Sequence, residues 1–100
     1  MQASNLQGFA TEAITVDDTS GGVRLTASNV IATPPAKTAL ITVESAQIRW
    51  LDDGTAPTST TGHVANPTDV IALDNVGRLF TFRAIRTGAS SATIRVSYYR

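Results

Sequence analysis

Cysteine is absent from this 100-residue chain, which excludes disulfides and thiolate metal sites. Stability must therefore come from burial or from association with other subunits. Aromatic residues make up only 6% and charged residues 16%, with a formal net charge of zero. Binding driven by phosphate neutralisation has no global electrostatic support at that charge, so nucleic acid is not an expected partner. A single histidine, His63, excludes any site needing two imidazoles from one chain. No apolar run approaches the roughly 18 residues needed to span a bilayer, so no membrane partner is expected. The polar stretch Met1 to Gly8 carries neither a basic leader nor an apolar core. It reads as the start of a protein made in the cytosol without an export signal.

Catalytic signatures are also missing. No Gly-x-Ser-x-Gly elbow accompanies His63 and the nearby Asp69 and Asp74, so a Ser-His-Asp arrangement has no local support. Ser20-Gly21-Gly22-Val23 lacks both phosphate-loop spacings. The pairs Asp17/Asp18 and Asp52/Asp53 could offer oxygen ligands to calcium or serve as glycosidase-type acids. Both pairs sit beside glycines, however, where aspartate commonly bonds its own backbone to make a turn. The expectation is a protein without catalytic residues, metal or cofactor.

What the chain does contain is Thr, Ser, Ala and Val, with 42% hydrophobic residues, enough to fill one core. Residues 1–8 read as a flexible arm and 9–100 as one domain. Ile14 and Val16 share one parity of a first strand, and Asp17 to Gly22 turns it. Val23 and Leu25 flank Arg24 in a short second strand. Pro34-Pro35 marks Ser28 to Lys37 as connector. Ile41 and Val43 have odd numbers, whereas Ile48 and Trp50 have even ones. Because side chains alternate with a period of two, a bulge or a sheet-to-sheet corner must fall between Glu44 and Gln47.

Thr55 to Gly62 reads as a surface loop after the Asp52-Asp53-Gly54 turn. Val70 to Leu73 reads as a strand and Asp74 to Gly77 as a turn. Phe80, Phe82 and Ala84 alternate with polar neighbours, as do Ile94, Val96 and Tyr98, which predicts a terminal hairpin buried on those faces. With about seven short strands and no sustained helical period, the expected fold is all-β. It is a single antiparallel β-sandwich, jelly-roll-like or a small barrel, with the last strand inside a sheet.

Arg78, Arg83, Arg86, Arg95 and Arg100 crowd the last quarter, while all eight acids precede residue 75. Adjacent terminal strands would project Arg83 and Arg95 from one outer face, next to Arg86, as a surface for an acidic partner or sister subunit, the alternative being a solvated face. Trp50 reads first as core and second as a stacking platform.

The stretch Ile48-Arg49-Trp50-Leu51-Asp52-Asp53-Gly54-Thr55-Ala56-Pro57-Thr58, then Thr61-Gly62-His63, and the ending Ala92-Thr93-Ile94-Arg95-Val96-Ser97-Tyr98-Tyr99-Arg100 resemble small β-sandwich structural proteins of tailed bacteriophages. That family typically shows Arg-Trp, Asp-Gly-Thr-x-Pro-Thr, Thr-Gly and a final strand near Tyr-Tyr. Val64-Ala65-Asn66-Pro67 departs from it. The resemblance implies a virion component, either a capsid decoration (cement) protein or a head or tail accessory subunit. Its partners would be the major capsid protein or another virion protein, and sister subunits in a homo-oligomer. A different class is a carbohydrate- or receptor-binding module built on Trp50, Tyr99 and the loop from Asp52 to His63.

Overall fold

A computed structural model describes residues 6–100. Eight strands are present: β1 (Gly8–Val16), β2 (Val23–Arg24), β3 (Thr38–Glu44), β4 (Ile48–Leu51), β5 (His63–Ala65), β6 (Val70–Asp74), β7 (Arg83–Arg86) and β8 (Ala92–Tyr99). Two short helices interrupt them, α1 (Ala27–Val30) and α2 (Val76–Thr81). The strands form two four-stranded sheets in the orders β1-β8-β3-β6 and β2-β7-β4-β5. All pairings are antiparallel. Pairing β1 with β8, β2 with β7, β3 with β6 and β4 with β5 is what a single long hairpin gives when it is rolled into two layers. This is jelly-roll topology, so the all-β sandwich expected from the sequence is the fold, with eight strands instead of about seven.

The core lies between the layers. Ala39, Ile41, Val43, Leu73, Ile94, Val96 and Tyr98 from the first sheet face Ile48, Ala65 and Ala84 from the second, and Phe82 packs just ahead of β7; all are at most 2% exposed. The parity change between Val43 and Ile48 is the predicted corner. β3 belongs to one sheet and β4 to the other, and Ser45 makes the bend at φ 70°. Both odd and even residues thereby enter one core. The final strand β8 is central, flanked by β1 and β3.

Three expectations are corrected. The terminal hairpin does not exist, because β7 and β8 lie in opposite sheets. Period-two alternation survives such a crossing, since each strand still turns one parity to the shared core. Phe80 is not in a strand: Asn75 caps α2 by accepting a hydrogen bond from the Arg78 N–H at 3.0 Å. Leu79 is then buried and Phe80 is 47% exposed. Finally, His63 lies in β5 and not in a loop. Of the arm expected over residues 1–8, residues 1–5 lie outside the described residues. Gln7 and Arg100 exchange backbone hydrogen bonds of 3.1 Å, and the sheet begins at Gly8.

Candidate docking face

The two sheets present different outer surfaces. On β2-β7-β4-β5 the outward parity comprises Arg24, Arg83, Leu51, Arg49, Ile85 and Val64. The loop after β4 lies along this surface. Arg49 fastens it by donating to the carbonyls of Ser59 at 3.1 Å and Gly62 at 2.8 Å. Thr58 and Thr61 exchange backbone bonds inside the loop, and Pro57 is buried. The approach is close: a methyl group at Gly22 would meet Pro57 Cδ at 3.2 Å.

On β1-β8-β3-β6 no such cover exists among the described residues. The register places Thr11, Ser97, Leu40 and Ala72 in one row and Ala13, Arg95, Thr42 and Val70 in the next. Leu40 is 42% and Val70 58% exposed. Arg95 is paired with Glu44 at 3.3 Å, so this face joins small hydroxyls to an aliphatic corner with little unpaired charge. Such a surface suits contact with another protein, because little polar desolvation opposes its burial.

The structure does not gather the arginines singled out in the sequence. Arg95 lies on this open face, whereas Arg83 and Arg86 lie on β7 in the other sheet. Arg83 reaches the Gly21 carbonyl at 3.3 Å, and its buried Nε has no hydrogen-bond partner among the described residues. Arg86 pairs with Asp18 at 3.2 Å, and Arg78 bridges Asp52 and Asp74 at 2.7 Å each. The expected common Arg83/Arg95 face is therefore absent, since it depended on the two strands being neighbours.

Trp50 stands at the rim of the core, half-buried, with its ring 5.8 Å from Phe82 and 4.9 Å from the His63 ring. Trp50 and His63 are direct cross-strand partners. With Asp69, Val70, Ile71 and Ala72 they line a groove of about 380 Å³ between β5 and β6, the two open edges on this side of the sandwich. Tyr99 is on β8 in the other sheet and does not line that groove. The site suggested by Trp50, Tyr99 and the 52–63 loop is thus divided.

One aspartate of each pair forms a turn, while the other, Asp18 or Asp52, pairs with Arg86 or Arg78. Asp17 Oδ1 accepts from the Thr19 N–H and Asp53 Oδ1 from the Thr55 N–H, each at 2.9 Å. The Thr19 hydroxyl and then its N–H hold Asp17, and the Thr55 N–H holds Asp53, below the ordinary aspartate range. The open face itself was hidden in the sequence, although Leu40 on the polar parity of an alternating strand was its one visible sign. No protein-family model matches the chain, and no curated protein matches it as a relative.

Proposed function

We propose that this chain is a non-enzymatic virion structural protein of a tailed phage, a capsid decoration or head or tail accessory subunit. It would dock on the shell or on sister subunits through the open face of the β1-β8-β3-β6 sheet. The observation that carries this reading is the asymmetry of the sandwich. The chain's own loop lies across part of one outer surface, leaving Val64 exposed at its edge, while the other has no such loop among the described residues and exposes Leu40, Val70 and Ala72 with its Arg95 already paired. Jelly rolls occur in viral capsid and lectin domains alike, so topology is compatible with the reading without selecting it. Repetition on a symmetric lattice lets weak contacts of this kind act together. Quantitative mass spectrometry of purified particles from the source tests it. A fixed stoichiometric ratio to the major shell protein supports the reading, and absence from the particle overturns it.

A second reading is favoured by one observation, the groove holding Trp50, His63 and Asp69 together. An aromatic ring beside a carboxylate and an imidazole suits carbohydrate, in keeping with a sugar- or receptor-binding module. Titration with glycans while following Trp50 fluorescence separates the two: a saturable shift supports this reading, and an unchanged spectrum removes it.

A further inference from the structure

A β-sandwich with two open sheets has four edge strands, and three of these are blunted. β2 has 2 residues and β5 has 3. β1 is long, but its register breaks between Gly8 and Ala10, and the carboxylate of Glu12 points inward. Short length, bulges and inward charges are the devices that keep edges from pairing with other chains. β6 has none of them. Its 5 residues, Val70-Ile71-Ala72-Leu73-Asp74, run unbroken against β3, with no proline, lysine or inward charge.

The free side of β6 can be assigned atom by atom. Val43 N–H donates to the Asp69 carbonyl at 3.0 Å, and Asn75 N–H donates to the Lys37 carbonyl at 2.7 Å. Odd-numbered residues therefore direct their backbone groups to β3, and antiparallel alternation directs those of Val70, Ala72 and Asp74 outward. The groove between β5 and β6 leaves that side open.

We propose that β6 pairs with β6 of a second copy, antiparallel about a two-fold axis at Ala72. In this register Ala72 faces Ala72 of the second copy and Val70 faces its Asp74. Every outward N–H and C=O then finds a partner, and the two sheets join into one. Charge favours the same arrangement. Asp69, at the start of β6, and Lys37, beside its end, take part in no ion pair among the described residues. The two-fold places the Asp69 end of one copy against the Lys37 end of the other. The outward Ala72 side chains meet across the axis, as an isologous interface requires, and Leu40 of each copy flanks them in the same apolar row. This deepens the docking reading above by naming the sister-subunit contact, and it rests on that reading only for its setting in a particle.

Sedimentation equilibrium of the full chain to about 1 mM tests the pairing directly. The expected result is a reversible monomer–dimer equilibrium. Ala72→Pro removes an outward N–H at an edge where proline is tolerated, and is expected to halve the mass with an unchanged circular dichroism spectrum. Asp69→Lys is expected to weaken association about threefold, with recovery in Asp69→Lys/Lys37→Asp. Amide exchange of the unmodified chain needs no variant: Val70, Ala72 and Asp74 should gain protection with concentration. A monomer at every concentration, or concentration-independent exchange at those amides, overturns the pairing. Particle stoichiometry is measured separately, so failure of the dimer and failure of the virion reading remain distinct.

Discussion

Tyr98 donates its phenolic hydrogen bond to the carboxylate of Glu12, joining the most buried aromatic ring of β8 to the inward side of the edge strand β1. Thr26 and Asn29 donate to the same carboxylate at 2.5 and 3.1 Å. One carboxylate thus fixes α1, which links the two sheets, onto β1. Burial raises the pKa of Glu12, but the hydrogen bonds from Thr26, Tyr98 and Asn29 together outweigh it and hold the group below its ordinary 4.5. Burial, and then Glu12, push the Tyr98 hydroxyl far up, so it remains a donor across the accessible pH range.

Tyr98→Phe keeps the ring and removes the donor. It is expected to destabilise the fold by about 2 kcal/mol in urea denaturation, the range for hydrogen bonds to a charged group. An unchanged midpoint would show that water replaces the hydroxyl without loss.

The Glu12 cluster also has a pH signature. A carboxyl whose folded pKa is depressed contributes stability above its unfolded pKa and loses it as pH falls through the folded value. Glu12→Gln is therefore expected to be less stable than the unmodified chain at pH 7, with the gap closing below pH 4.5. Paired urea curves from pH 7 to pH 3 check this, and a gap that widens on acidification contradicts it.

Gly62 sits at φ +125°, and a methyl group there would lie 3.2 Å from the Trp50 carbonyl oxygen. Gly62→Ala is expected to cost about 2 kcal/mol through backbone strain and to loosen the loop held by Arg49. Limited proteolysis between Asp53 and Gly62 should quicken in the variant.

Leu40 is exposed on the open face, so Leu40→Lys should change stability by no more than about 0.5 kcal/mol. If that face docks on a shell, the same change should sharply reduce incorporation into particles. Normal incorporation of a folded Leu40→Lys protein would move the docking contact elsewhere.

Much of the fold was legible because burial imposes alternation. Val16, Ile41, Val43, Ile94, Val96 and Tyr98 were visible as one-sided strands, and the parity conflict between Val43 and Ile48 located the corner. Alternation reports only which parity is buried, not which sheet buries it. That is why β7 and β8 read as a hairpin and why Arg83 and Arg95 read as neighbours. Phe80 failed for another reason: the Asn75 cap, a local backbone event, took the segment out of strand geometry. The pairing of Trp50 with His63 was illegible because β5 is three residues long and has no periodicity to read.

The rolled-hairpin order also sets how the molecule must assemble itself. Among consecutive strands only β4 and β5 are neighbours in a sheet, so every other pairing closes a longer chain loop, and β1 on β8 closes nearly all of it. Loop-closure entropy makes such topologies slow to fold, on the order of milliseconds to seconds. β6 is flanked by one strand alone, its own β3, to be met early in the nest, and its other side stays bare throughout. Nascent chains crowded at high local concentration would therefore find one another's β6 while β1 is still seeking β8, which makes expression level and temperature direct controls on the yield of native protein.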